Sequence, residues 1–305
     1  MIYKNNIQMS QEFQNILELL SNKDISNRKL GFSLIENYKS DFEGYFQCSF
    51  EDGKSLIKFL IQCDIKIEGG VNQPFEKMTK LTIKEKEYIP ASITLLKNLT
   101  HLYISLCNFE TFPSCIGLLE NLESLDISYS KLKELPECIT SIKTLKKLWI
   151  CGMGISYVPE SIKNLEKLED LNLCHNEFKA FPPQIQCLTT LTYLCMNGNM
   201  IREIPSDIEK LKNLQVLCMA KNGLEILPKE LANIKTLTHL YVQKNELQEI
   251  PDELEELTAL EYADFSNNFL DNVPSLIYHT SIDISNNPVS YDQDNDDSED
   301  DDDSF

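Results

Sequence analysis

The sequence predicts an α/β solenoid: a horseshoe of stacked units with a parallel, concave sheet of about ten strands and a helical N-terminal cap. Three observations carry this. Prolines stand at Pro113, Pro136, Pro159, Pro182, Pro205, Pro228, Pro251 and Pro274, each 23 residues after the last. An apolar frame recurs between them, as in Leu168, Leu171, Leu173, Asn176, Phe178 and Phe181, or Leu214, Leu217, Met219, Asn222, Leu224 and Leu227. Within each unit a Leu-x-Leu step alternates with period two, as a strand does, and then Pro-x-x-Ile-x-x-Leu, as in Pro205, Ile208 and Leu211, has helical spacing.

Each unit is therefore expected to be a short strand, a turn and a short helix. Proline suits the first helical turn, where its missing N–H has no intrahelical partner to lose. The frame asparagine points inward and offers a donor and an acceptor to backbone that turns away from the sheet, so stacked units satisfy one another. One unit cannot bury its own apolar edge, so the array must be stacked and capped. Strands are expected to begin near residues 81, 102, 125, 148, 171, 194, 217, 240, 263 and 282. The first unit is contracted, Leu81 to Pro90 being two residues shorter than Leu102 to Pro113, and at the far end Ile282 follows Ala263 by only 19 residues.

Residues 1–74 form a helical cap region, with apolar periodicity in Phe13, Ile16, Leu17 and Leu20 and again in Leu56, Phe59 and Leu60. A linker-like stretch from Glu68 to Pro74 leads into a solenoid over 75–289, and 290–305 is an acidic tail with too few apolar residues to offset the cost of ordering it. A separate partner-binding role for the helical region is the alternative to a plain cap.

The repeat xxLxxLxLxxNxLxxLPxxIxxL resembles the 23-residue class of leucine-rich repeats found in Ras-associated intracellular scaffold proteins and in many bacterial leucine-rich-repeat proteins. The resemblance covers about residues 76 to 289. It implies the solenoid fold and a non-enzymatic scaffold of the kind used in signal transduction, and it leaves the partner open. Some bacterial relatives append a ubiquitin-ligase domain with a catalytic cysteine; only a short acidic tail follows here, so that activity is not carried over. The chain departs from the family at the frame asparagine, where Cys107, Ser130 and Met153 stand ahead of Asn176, Asn199, Asn222, Asn245, Asn268 and Asn287. Cysteine is an accepted alternative and serine can bond in part. Methionine cannot replace the amide, and Met153 lies between Gly152 and Gly154, which puts the backbone path there in question.

The composition narrows the function. Net charge is −20, of which nine acidic residues between Tyr291 and Phe305 contribute −9, leaving −11 on the rest. That disfavours a nucleic-acid phosphate binder. No apolar run reaches the roughly 18 residues of a membrane-spanning helix, and no export signal is visible. Ten cysteines without paired spacings read as reduced thiols in a cytoplasmic protein with few or no structural disulfides, and a monomer is expected. There is no HExxH, GxSxG or phosphate-binding loop, and no cofactor is called for. The histidines are scattered: His101 and His239 share a column but sit six strands apart, roughly 29 Å at sheet spacing. The expected function is to bind another protein.

The candidate site follows from the strand alternation, since residues before, between and after the two Leu-x-Leu positions face out on the concave side. The candidates are Tyr103, Asp126, Lys147, Trp149, Asp170, Asn172, Tyr193, Asn197, His239, Tyr241, Tyr262 and Asp264. The sole tryptophan and several tyrosines fall on this surface, matching the aromatic enrichment of protein-binding hot spots. Trp149 and Tyr193, two strands apart, mark its expected centre, both exposed. The opposing view is that these rings merely fill a sheet surface. Cys151 with Cys174, and Cys195 with Cys218, occupy matching columns on adjacent strands; a redox switch or a metal site aided by His175 is weighed against small thiols that simply suit a crowded face. The runner-up function assigns the main role to the tail, as in acidic leucine-rich nuclear proteins that chaperone basic partners.

Overall fold

The computed structural model describes residues 11–20, 24–46, 50–62, 78–109, 112–272 and 281–288. Ten parallel strands form one sheet in strict chain order: β1 Lys80–Lys84, β2 His101–Ser105, β3 Ser124–Ser128, β4 Lys147–Trp149, β5 Asp170–Asn172, β6 Tyr193–Cys195, β7 Val216–Cys218, β8 His239–Tyr241, β9 Tyr262–Asp264 and β10 Ser281–Asp283. Every strand begins one residue before the position expected from the frame. Register is in phase throughout, so Leu102, Leu125, Leu148, Leu171, Leu194, Leu217 and Leu240 stack as one inward column. One continuous apolar core runs from the cap to the last units.

The outer segments differ from expectation. Among the described residues each, from Ala91–Leu95 to Asp252–Glu256, is a single 3-10 turn of five residues and not a short α-helix. The proline stands one position earlier than foreseen, as the N-cap, with Pro205 at φ −70° and ψ 152°. Its carbonyl accepts the Ile208 N–H at 3.0 Å, closing the turn. The next strand must start within 23 residues, and a 3-10 turn satisfies the backbone in less chain than an α-helix does.

The ladder of frame asparagines forms as expected. Asn245 Nδ2 donates to the carbonyls of Met219 and Val242 at 3.0 and 2.8 Å, while its Oδ1 accepts the N–H groups of Asn222 and Leu224, both at 3.1 Å. Asn176, Asn199, Asn222, Asn268 and Asn287 donate in the same way to the carbonyl three residues back and to one in the preceding unit. Just before each frame position the backbone turns left-handed, from Glu85 (φ 53°) and Leu106 (φ 54°) to Asn286 (φ 59°). Gly152 (φ 63°) is simply this position in its own unit, and a side chain there would meet the Tyr129 ring at 2.6 Å. Among the described residues Gly154 (φ 70°) is the one left-handed position outside this series.

The three substitutions behave differently. Cys107 makes a weak copy of the amide, receiving Lys86 N–H at 3.5 Å and donating to Ser105 O at 3.4 Å. Ser130 does not bond even in part: its hydroxyl is buried without a partner. Met153 is buried and offers no amide, so the Ser130 and Leu132 N–H groups lack the acceptor that Asn245 supplies to Asn222 and Leu224. Backbone amides near residues 105–155 should therefore exchange hydrogen faster than those near 197–245, with Ser130 and Leu132 among the fastest of the array. Equal protection in both halves would refute the uneven ladder. Since Gly152 already follows the regular path, Met153→Asn should raise stability by about 1 kcal/mol.

The cap holds α1 Gln11–Leu20, α2 Ile25–Leu34, α3 Lys39–Phe46 and α4 Phe50–Gln62. Of the positions marked by their periodicity, Phe13, Ile16 and Leu20 on α1 and Leu56, Phe59 and Leu60 on α4 are buried, while Leu17 is half-buried against the same core. Helix α4 packs on the first outer 3-10 turn of the array, Ala91–Leu95, and the Phe59 ring lies 6.0 Å from that of Tyr88. The cap thus covers the open edge of the first unit. Glu68 to Pro74 and the acidic tail from 290 lie outside the described residues.

Candidate functional site

The strand register places the candidate residues in columns on one face. Tyr103, Asp126, Trp149 and Asn172 are consecutive in one column and Lys147, Asp170 and Tyr193 in its neighbour. Farther along, His239 and Tyr262 pair between β8 and β9, as do Tyr241 and Asp264. Asn197, just beyond β6, accepts the Ala220 N–H on its Oδ1 at 2.6 Å and is held partly buried.

Trp149 is 39% exposed, large for an aromatic on a sheet face. Its indole N–H donates to Asp170 Oδ1 at 2.9 Å, and Lys147 Nζ lies 3.8 Å from the other carboxylate oxygen. This ties three candidates on two strands into one constellation and fixes the indole's orientation. Burial pushes the Asp170 carboxyl up, against the pull of Trp149 and Lys147, and burial likewise raises Asp126, which accepts a hydrogen bond from Ser128. Two half-buried carboxylates are thus held where a further cation would be welcome.

A second aromatic group lies toward the far end. The Tyr241 and Tyr262 rings are 5.6 Å apart, with His239 at 6.2 and 6.5 Å from them. Beside them Gln243 Oε1 is buried without a hydrogen-bond partner. His101 and Tyr103 form a smaller pair at 6.4 Å near the other end. Between β2 and β9 the outward columns carry Asp126, Asp170 and Asp264 against a single Lys or Arg, Lys147.

Tyr193 differs from expectation. It is half-buried, and its hydroxyl contacts the Cys195 and Cys218 thiols; burial, then these thiols, push its pKa up. It is part of a packed layer and not a free anchor, because cysteines beside it leave room for the ring to lie down. Apolar surface that the frame did not flag appears instead at the left-handed positions after β2 and β3, where Leu106 and Tyr129 are each 57% exposed. The only signal was an apolar residue where later units carry Lys221, Lys244 or Asn267.

The four concave cysteines form a continuous track. Cys174 contacts both Cys151 and Cys195, and Cys195 contacts Cys218, so the two predicted pairs are joined by a diagonal contact that column-matching missed. All are free thiols. Hydrogen bonds from Cys174 and Cys218 hold Cys195 well below the ordinary thiol value, and one from Cys174 lowers Cys151. No cluster of three or more His, Cys, Asp or Glu with metal-binding geometry occurs among the described residues, and His175 instead packs against Gly198. An open groove of about 570 Å³ lies elsewhere, lined by Tyr157, Glu177, Lys179, Phe181 and Pro183 among others, and includes no candidate residue. No helix among the described residues is long and apolar enough to cross a membrane.

A capped, in-register array that turns one wide, side-chain-rich sheet face outward is a repeat solenoid of the kind built for macromolecular contact. The family model for the leucine-rich repeat region matches residues 75–182 and 174–271, and the chain belongs to that family. Solved structures agree on the fold. An internalin from Listeria monocytogenes superposes with a TM-score of 0.55 at 19% identity, over 80% of this chain and 84% of that one. A TDR receptor gives 0.55 at 26% identity, over 67% of this chain and 37% of the receptor. A plant peptide hormone receptor solved in complex with RGF2 gives 0.52 at 22% identity, over 70% of this chain and 40% of that one. The chain thus spans well under half of either receptor. No curated protein matches the chain. Leucine-rich repeats are in general protein-interaction modules without enzymatic activity of their own.

Proposed function

We propose that this chain is a non-enzymatic scaffold, a cytoplasmic monomer, that holds a partner protein against its concave sheet face, with the Lys147–Trp149–Asp170 constellation at the centre of the contact. The observation that carries this is the Trp149 indole, 39% exposed yet held in one orientation by its hydrogen bond to Asp170. A large ring kept partly in water and already ordered gives up little side-chain entropy on binding, which is the profile of a hot-spot anchor. The Tyr241–Tyr262–His239 group supplies a second apolar contact. The excess of aspartates over Lys147 favours a partner that presents cations between its apolar groups.

The test is positional. A photoreactive residue at Asn172, beside Trp149, should cross-link a defined protein in cell extract. The same group at Lys163, on an outer 3-10 turn, should not, and Trp149→Ala should abolish the Asn172 cross-link. Capture at both positions, or capture indifferent to Trp149→Ala, would count against the concave site.

A further inference from the structure

We propose that Cys151 and Cys174 are a dithiol couple that closes to a disulfide across β4 and β5 when a low-molecular-weight disulfide such as glutathione disulfide enters the concavity. The two residues occupy the same outward column, two residues beyond the strand ends, and Gly152 N–H donates to Cys174 O at 3.1 Å, so the two segments are backbone-bonded neighbours. Adjacent strands lie about 4.8 Å apart. That falls inside the Cα separation of roughly 4.4 to 6.8 Å that a disulfide spans. The thiols are already in contact.

The other pairings are weaker. Cys174 and Cys195 are separated by a strand spacing and a two-residue step, together roughly 8 Å between Cα atoms, beyond the reach of about 7 Å without backbone movement. Cys195 and Cys218 are in register, but both are buried, 4% and 7% exposed, beside the Tyr193 hydroxyl. Cys174 is the one thiol of the four that keeps appreciable surface in the concavity.

The chemistry balances as two exchanges. The Cys174 sulfur, chosen by its access although its hydrogen bonds to Cys151 and Cys195 push its pKa up and slow this step, bonds to one sulfur of the oxidant, the oxidant's S–S bond breaks, and the proton from Cys174 leaves on the departing thiol. The Cys151 sulfur then bonds to Cys174, the mixed disulfide breaks, and a second thiol leaves with the proton from Cys151. Two protein thiols are oxidised and one disulfide is reduced to two thiols. Cys151 suits the second role because the Ser128 hydroxyl still donates to it and favours its thiolate once Cys174 has given up its proton. A pair on neighbouring parallel strands makes a constrained bridge, the labile kind that reverses with the thiol pool. Closure would pin the unit that lacks a frame amide, two residues from Trp149. The proposal stands without the partner reading, since neither its chemistry nor its test involves a partner.

The test is to incubate the reduced full chain with excess glutathione disulfide, quench in acid, alkylate and map the peptides. The expected product is a Cys151–Cys174 cross-link that dithiothreitol reverses, while exposed Cys187, outside the track, carries only a mixed disulfide. With Cys151→Ser the cross-link should be lost and the glutathione mixed disulfide on Cys174, transient in the wild type, should become the end product. Modification of Cys187 with Cys151 and Cys174 still open to alkylation would overturn the proposal. So would a stable mixed disulfide on wild-type Cys174, or a Cys195–Cys218 bridge forming first. The wild-type map decides even if the variant fails to fold.

Discussion

Replacing Asn245 with Ala should lower the free energy of unfolding by about 4 kcal/mol, the largest single-residue effect expected on the face-bearing half of the array. The side chain is 5% exposed and makes four hydrogen bonds at 2.8 to 3.1 Å, all to backbone. Alanine leaves the Asn222 and Leu224 N–H groups without acceptors, at about 1–3 kcal/mol for each buried group left dry, and takes one of two amide donors from each of the Met219 and Val242 carbonyls, which keep those of Asn222 and Asn268. Asn245→Cys should fall between, because Cys107 shows what a thiol does there: longer, weaker bonds to fewer groups. Asn213→Ala is the control. Its exposed amide makes one bond, to Thr189 O at 2.8 Å, and its loss should change stability by about 0.5 kcal/mol or less. Denaturant unfolding of the three variants checks the order; an Asn245→Ala protein as stable as Asn213→Ala would show that the ladder does not hold the units together.

The ladder was legible because a buried amide recurring at fixed spacing has one job, to meet backbone groups that recur at the same spacing. The strand starts were legible for a similar reason, since a one-residue slip would turn the whole leucine column out into water. What escaped was set by crowding between neighbours. The frame marks Tyr193 as outward but not that it lies against Cys195 and Cys218, which depends on the small side chains of the next strand. Column-matching found two cysteine pairs, but the diagonal Cys174–Cys195 contact joins different columns and has no spacing signature. A second ladder was also missed: Thr144, Thr190 and Thr236 donate, each at 2.7 Å, to Leu122 O, Leu168 O and Leu214 O. Threonine is common in turns, and only the fold shows these hydroxyls reaching the unit before. The outer 3-10 turns escaped because Pro-x-x-Ile-x-x-Leu fits both helix types over so few residues.

Trp149→Ala should weaken binding of the partner captured at the concave face by about 2 kcal/mol or more, roughly 30-fold in Kd, with little change in melting temperature. The two effects separate because the indole contributes little to the core: it is 39% exposed, and its main fixed contact is the bond to Asp170, which keeps Lys147 as a neighbour when the ring is removed. Tyr193 does not separate in this way. Its ring is half-buried against two thiols, so Tyr193→Ala should lower stability as well as binding, and only Tyr193→Phe, which keeps the ring and removes the hydroxyl, isolates the polar contact. Asp170→Asn is the informative companion. It keeps an acceptor for the indole N–H but removes the negative charge, so it should leave the ring oriented while weakening any cation the partner brings. A loss on Asp170→Asn that shrinks with added salt would mark an electrostatic contact. Full-strength binding by Trp149→Ala, measured by titration calorimetry on the partner that the cross-link identifies, would instead remove the anchor from the centre of the site and leave the Tyr241–Tyr262–His239 group as the larger of the two aromatic contacts remaining on this face, beside His101–Tyr103.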